Sequence, residues 1–573
     1  MKIEKIIIVN FRSIKKAEIR MNDITAIVGE NNAGKTAILR ALNAIMNYDE
    51  EEEYFLNGRH RFAPRCNTKI ELMFTDVPDK FADKRVNGKL TIHFTYTYSK
   101  QKKQFAYVNE QNEIINLEDN FINNLRSEII YVYIPVERTN KDTQWGDNSI
   151  FKKLVTTYIG INTINRDTIS PHVKTAMDKI HSAALKKLEK EINNLYLQNK
   201  SVDFKINFPD IDYTILLNKV MLSMNEYGQN YPLEEWGSGT RSLAVIAMHR
   251  AMALLHNANI VLGIEEPEIN LHPQGQKKFI LSLRDKRHRN ETQSIFTTHS
   301  TVLVDSLKHE EIVIARRKSD SRGFISEITQ ISERFWVENG IEEFKHYQYF
   351  NYKNSDFFFA KFIIVGESKN DCQIFEKLIK PLIGAKASDI SYLDAGGVEN
   401  IHYPFFLLKE LKIPFVMVVD RDFFFPYSVN NKLQDSRNLT TGLPIYSNNM
   451  KRSIVLDNLF STQEERDKVE SAHQKGYRKF FDEIKNKNIL SMNYCLEMDL
   501  TCSNAAREKY YNLLRIEGQN KSQQYLLTKN HNAIKKIENI DKIINSIPSK
   551  SLPESYNKIK NHIVCMIDEL VIA

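Results

Sequence analysis

Short apolar runs, several with strict alternation, dominate the first 140 residues. Ile6–Val9, Ala17–Ile19, Ile24–Val28, Thr68–Phe74, Leu90–Tyr98 and Ile129–Val136 are rich in β-branched and aromatic residues, with polar turns such as Val86-Asn87-Gly88 between them. This pattern predicts strands. Ala37–Met46 has helical spacing instead, so the region reads as α/β with an added antiparallel part. From Leu154 to Gln198 the composition shifts to Lys, Glu, Ala, Leu and Asn. Met177, Ile180, Ala184, Leu185, Leu188, Ile192 and Leu195 fall there at helical intervals, and no glycine occurs between Gly160 and Gly228. A helical insertion over 150–200 is expected, its apolar stripe either joining the main core or serving as a dimerisation arm. An apolar helix over Ser242–Leu255 and two buried strands, Ile260–Ile264 and Ser294–Thr298, follow.

Around 331–359 the pattern turns aromatic and polar, and a second strand–helix alternation starts at Lys361. Strands at Phe362–Val365, Ser391–Leu393 and Pro414–Val419 alternate with helices at Asp371–Ile379 and Ile401–Leu411, and Ser491–Leu496 reads as a further strand. Pro414–Val419 is nearly all apolar, as a central parallel strand should be. A boundary near 335 gives two parts, 1–335 and 336–573.

Composition narrows the class only a little. With 573 residues the chain is too long for one ordinary core, and 42% hydrophobic with 26% charged residues is usual for a globular protein. No apolar run reaches the roughly 18 residues of a membrane span and no signal-peptide pattern opens the chain, so the expected compartment is the cytoplasm. Cys66, Cys372, Cys495, Cys502 and Cys565 are scattered without a CxxC pair, which predicts reduced thiols. A formal net charge of +7 permits nucleic-acid binding without requiring it. Basic stretches at Lys451-Arg452, Lys475–Lys487 and Lys535-Lys536 could track phosphates, although each also reads as a solvated face.

The chemistry begins at Gly29-Glu30-Asn31-Asn32-Ala33-Gly34-Lys35-Thr36, between a strand and a helix. This is the spacing of a P-loop. Gly29, Asn32 and Gly34 shape a loop whose N–H groups face a triphosphate, Lys35 meets the β/γ charge, and Thr36 offers a hydroxyl to Mg²⁺. Gly237-Ser238-Gly239-Thr240 opens the apolar helix that follows it, where Ser238 and Gly239 can donate N–H groups to a phosphate held by a second copy of the chain. The strand Ile260–Ile264 runs into Glu265-Glu266-Pro267-Glu268. Glu265 can hold Mg²⁺ through water and Glu266 can orient or deprotonate the attacking water. His299, at the next strand end, can contact a γ-phosphate.

The second half carries acids at its own strand ends, Glu367, Asp420 and Asp422. They would meet at the carboxyl edge of one parallel sheet. Three carboxylates in one small volume repel unless a cation neutralises them, and Mg²⁺ or Mn²⁺ with oxygen ligands does so. Glu497 and Asp499 would share a side of the last strand if it continues.

In their order these pieces resemble an ABC-type ATPase head of the chromosome-maintenance and recombination-repair class, followed by a Toprim domain. That pairing is similar to the OLD (overcoming-lysogenisation-defect) family of nucleases, which includes the Gabija-type anti-phage nuclease. The resemblance implies an α/β fold: a P-loop ATPase domain with a helical insertion, then a Toprim domain with helical additions. It implies ATP with Mg²⁺ or Mn²⁺ in the head, and two divalent ions at Glu367, Asp371, Asp420, Asp422, Glu497 and Asp499 for DNA cleavage. A family lysine near the scissile phosphate best matches Lys529. Expected partners are DNA, further copies in a homodimer or tetramer, and a second defence protein or a retron reverse transcriptase with its non-coding RNA; no membrane is expected. Three departures stand out: the signature turn differs from the usual Ser-Gly-Gly-Gln, Glu265 replaces an aspartate, and Gly366-Glu367-Ser368 replaces the usual Glu-Gly. The last leaves a rival reading, a DNA-repair or sensor ATPase with a non-cutting Toprim; topoisomerase and primase activities lack their accompanying motifs.

Overall fold

The computed structural model describes residues 1–111, 113–138, 149–161, 163–195, 205–206, 222–226, 228–232, 235, 237–255, 259–284, 292–321, 323–351 and 355–572. Two compact units emerge, residues 1–27 with 34–306, and residues 28–33 with 307–573.

In the first unit, β1 (Lys2–Phe11), β2 (Ile14–Arg20), β4 (Thr68–Thr75), β5 (Leu90–Thr97), β6 (Lys102–Val108) and β7 (Ile114–Asn116) form an antiparallel sheet in the order β2-β1-β4-β5-β6-β7. Alternation decides its faces: Ile70, Leu72 and Phe74 of β4 and Ile92, Phe94 and Tyr96 of β5 are buried, while their neighbours are more open. Phe55 packs against this face, with its ring centroid 5.6 Å from Phe94 and 4.6 Å from Tyr96.

A second sheet places β3 (Ile24–Gly29), β12 (Thr292–Thr298), β11 (Asn259–Glu265) and β8 (Ile129–Ile134) side by side, with β11 parallel to both β12 and β8. All of β3 and all but the first residue of β11 are buried, the signature of strands covered on both faces. The helix α1 (Lys35–Met46) follows β3. Gly263 is small for a reason: a Cβ there would lie 1.9 Å from the Tyr131 hydroxyl oxygen, and that hydroxyl donates to the Leu39 carbonyl of α1 at 2.9 Å.

The expected insertion is helical over Ile150–Ile161, Thr163–Ile180 and Lys186–Leu195, with a π turn at His181–Leu185 between the last two. Its base is in the core, where Ile150 and Phe151 pack with Val245 and Met248. Farther along the stripe, Ile180, Leu188 and Ile192 are exposed in the single chain. A short hairpin, β9 (Ser223–Glu226) with β10 (Gln229–Pro232), follows.

The second unit opens with the hairpin β13 (Ile312–Asp320) and β14 (Gly323–Thr329). Then β15 (Phe362–Gly366), β16 (Ile390–Asp394), β17 (Phe415–Val419) and β18 (Ile489–Ser491) make a wholly parallel sheet in the order β16-β15-β17-β18. Phe362, Ile364, Val416, Val418 and Leu490 of this sheet share one core with Phe375 and Ile379 of the helix Lys369–Ile383 and with Tyr556, Ile559 and Ile563 of the C-terminal helix. No disulfide joins any of the five cysteines, all of which lie among the described residues. Among the described residues no helix is long and apolar enough to cross a membrane.

Candidate functional site

The loop after β3 has the backbone its sequence requires. Gly29 could not be otherwise, since a Cβ would lie 1.9 Å from the Ala315 carbonyl oxygen; Asn32 and Gly34 both take positive φ, 62° and 98°. Gly34 caps α1 without a side-chain hydrogen bond, and the N-terminal end of the helix carries the positive end of its dipole, which suits an anion. Lys35 is buried at the first helical position.

Across the sheet, Glu265 ends β11 at 7% exposure, and one of its carboxylate oxygens is buried without a hydrogen-bond partner. Such an atom suits a cation or a metal-bound water. Glu266 turns out of the strand at φ 42°, and its Oε1 lies 3.6 Å from His299 Nε2. Burial first, and then the charge of Lys35, hold the His299 ring below its ordinary pKa, against the pull of Glu266. Glu268 serves the turn: Oε1 accepts from the Thr298 hydroxyl at 2.9 Å and from the His299 N–H at 2.7 Å. The helix at the signature begins at Ser238, four residues earlier than its apolar spacing indicates, because the Gly237 carbonyl already accepts the Arg241 N–H at 3.1 Å. Ser238 and Gly239 therefore lie in its first turn. Gly239 is confined too, as a Cβ would sit 2.3 Å from the Asn270 carbonyl oxygen. Trp236 lies outside the described residues.

Sequence reasoning missed Arg138. Its guanidinium donates to Ser242 Oγ at 2.8 Å, to the Glu266 carbonyl at 3.4 Å and to the Glu265 carbonyl. A polar residue just past the end of β8 was the available signal.

In the second unit the strand-end acids do converge. One carboxylate oxygen from each of Glu367, Asp420 and Asp422 lies within 4.8 Å of the others. The Asp420 N–H donates to Glu367 Oε2 at 3.1 Å, which ties the ends of β15 and β17 together. Burial, together with the charges of Asp422 and Asp371, pushes Glu367 up to about 7 against the Asp420 N–H and the Lys451 charge. Asp420 is raised well above the usual carboxylate range by burial and by Glu367, Asp371, Asp422 and Glu497. Repulsion of this kind is what a divalent cation relieves, and an all-oxygen donor set suits Mg²⁺ or Mn²⁺. Lys451, on the loop after β17, is a second residue that sequence reasoning did not place here.

Ser368 explains the missing Glu-Gly. It caps the helix Lys369–Ile383 in a capping box with Asp371, its N–H donating to Asp371 Oδ2 at 2.8 Å and its hydroxyl at 2.6 Å. The glycine is needed one residue before the acid, since a Cβ on Gly366 would lie 2.8 Å from Cys372 Sγ. Asp371 is raised to about 6, chiefly by burial.

The strand expected over Ser491–Leu496 is a correction. β18 ends at Ser491, and Glu497 and Asp499 belong to a short helix, Leu496–Leu500. The chain turns because Asp499 accepts the N–H groups of Asn493 and Tyr494, each at 2.9 Å, and the Ser555 hydroxyl at 2.5 Å. Both Asp499 oxygens are thus engaged within the fold, while the charge of Glu497 bears on Asp371 and Asp420. Lys529 ends the helix Gln523–Lys529 and is exposed. His531, two residues on, lies within electrostatic reach of Glu497.

Fold and sites together define an ABC-type ATPase head joined in one chain to a Toprim domain. A family model described as AAA ATPase domain matches residues 1–159 and 137–304, and one described as overcoming lysogenization defect protein-like, TOPRIM domain, matches 358–422. The OLD nuclease of Thermus scotoductus is 24% identical over 454 residues, covering 72% of this chain and 80% of that protein. The Old nuclease of Escherichia phage P2 is 22% identical over 420 residues, covering 65% and 69%. The chain belongs to the overcoming-lysogenisation-defect (OLD) family.

Proposed function

We propose that this protein is a divalent-metal-dependent DNA endonuclease whose cutting centre is the Toprim cluster and whose ATP-binding head regulates it. The observation that carries the reading is the convergence of Glu367, Asp420 and Asp422 within 4.8 Å at the carboxyl edge of a parallel sheet. Together with Glu497 they would hold Mg²⁺ or Mn²⁺, and ions bound there supply an acidified water and a neutralised leaving oxygen for phosphodiester hydrolysis. Lys451 supplies positive charge at the mouth of the cluster for a substrate phosphate. In the head, Lys35 and the N-terminal end of α1 bind the triphosphate, Glu265 and Thr36 hold its cation, Glu266 orients the attacking water, and His299 senses the γ-phosphate. Ser238 and Gly239 complete the nucleotide site of a second copy, so the working form is a homodimer or tetramer. A role as an effector of anti-phage defence rests on the family resemblance.

The test is cleavage of supercoiled plasmid and linear phage DNA with Mg²⁺ or Mn²⁺, with and without ATP, comparing wild type with Asp420→Ala. Metal-dependent cutting that disappears in the variant is the expected result. Cutting that persists in Asp420→Ala would remove the Toprim cluster from the mechanism.

A further inference from the structure

Between the two acids of Asp420-Arg421-Asp422 sits a buried cation. Arg421 is 3% exposed, and among the described residues no acid lies within ion-pair distance of it. Its Nη2 donates to His473 Nδ1 at 2.6 Å. Its guanidinium carbon lies 3.7 Å from the Phe480 ring centroid and 5.6 Å from that of Phe425. Phe425 in turn stacks on His473, centroids 3.9 Å apart and planes at 14°. Nε and Nη1 are buried without any acceptor. A buried charge held by a neutral imidazole and aromatic faces is costly, and an apolar side chain of similar length would serve folding alone better.

Its main chain links this anchor to the other acid-bearing segment. The Arg421 N–H donates to the Tyr494 carbonyl at 2.8 Å. The N–H of Tyr494 donates to Asp499, and Asp499 fixes the turn that delivers Glu497. One continuous chain therefore runs from His473 and Phe480 through Arg421 and Tyr494 to Asp499 and Ser555.

We infer that Arg421 and Asp499 are positioning residues that set the spacing between the turn carrying Asp420 and Asp422 and the turn carrying Glu497. The inference rests on the metal reading given under Proposed function and extends it to the groups that hold the ligands in place. With the guanidinium wedged between Phe480 and His473, the Asp420–Asp422 turn cannot roll, and both acids stay on the side away from the wedge. With Asp499 capping Asn493 and Tyr494, Glu497 arrives at a fixed distance from them. Outer groups of this type typically contribute 10–100-fold to metal affinity.

The test is Mn²⁺ binding to the full-length protein without nucleotide, read from the electron paramagnetic resonance signal of free Mn²⁺. Wild type, Arg421→Met and Asp499→Asn are compared, with thermal unfolding and ATP binding by the head as controls of folding. Both variants are expected to bind Mn²⁺ about 10–100-fold more weakly, with Arg421→Met unfolding at the wild-type temperature or above. Millimolar guanidinium ion added to Arg421→Ala should restore part of the binding by refilling the slot, a recovery a merely structural role would not give. Wild-type affinity in a folded Arg421→Met overturns the inference. A wild type that binds no Mn²⁺ overturns the metal reading itself, and the inference with it.

Discussion

Arg138 donates to Ser242 Oγ at 2.8 Å while the same guanidinium takes the main-chain carbonyls of Glu265 and Glu266. One side chain thus ties the helix of the signature turn to the turn that carries the head's acids. Hydrogen bonds from a charged donor are worth about 1.5–3 kcal/mol, so Arg138→Ala should slow ATP turnover roughly 10- to 100-fold. Binding of a fluorescent ATP analogue should change little, because Lys35 and α1 remain. Turnover at the wild-type rate would show that the link has no bearing on hydrolysis.

Lys35→Ala and Asp420→Ala should separate the two halves of the protein. The first is expected to lose nucleotide binding, measured by calorimetry. The second should keep it and lose DNA cleavage. Loss of ATP binding in Asp420→Ala would contradict this division of labour.

Ser368 should behave as a helix cap. Ser368→Ala is expected to cost about 0.5–2 kcal/mol, and Ser368→Gly, which restores the family's commoner residue, only a few tenths. Urea unfolding of the two variants checks the ranking; equal costs would mean that the capping box with Asp371 contributes nothing.

His309 and His346 should make the second unit acid-sensitive. Their rings meet at 2.8 Å (Nδ1 to Nε2) in an aromatic cage, and burial holds His309 down to about 3 and His346 to about 2, the latter also repelled by His309 and His402. Both are neutral in the fold, whereas the unfolded rings protonate near 6.5. Their contribution is therefore complete above pH 6.5 and is lost as the pH falls toward about 3, at up to about 1.4 kcal/mol per pH unit for each ring. Urea midpoints at pH 7 and pH 5 should differ in the wild type and differ less in His346→Leu.

The sequence was most legible where local pattern and site chemistry coincide. The P-loop, the acids after Ile260–Ile264 and the strand-end acids Glu367, Asp420 and Asp422 all sit where a strand stops, and a strand's end can be read from its apolar run. Asp499 was harder because its i, i+2 relation to Glu497 fits a strand as well as a turn, and only the N–H groups of Asn493 and Tyr494 decide between them. Arg138 and Arg421 were missed for a different reason. Each acts through partners far along the chain, Glu265 and Ser242 for one, His473 and Phe480 for the other, and nothing in local spacing announces such a link.

The order of the Toprim strands also sets a timetable. β18 pairs with β17 at one side of the sheet, and Glu497 comes 75 residues after Asp422 in the chain. At a synthesis rate of about 5–20 residues per second, the first three acids leave the ribosome roughly 4–15 seconds before the fourth. A nascent chain that ends before Ile489 has neither the last strand nor the Asp499 turn. On the proposed reading it is a nuclease that cannot yet cut, so the newborn protein would be harmless to the DNA of the cell making it until its final helices are in place.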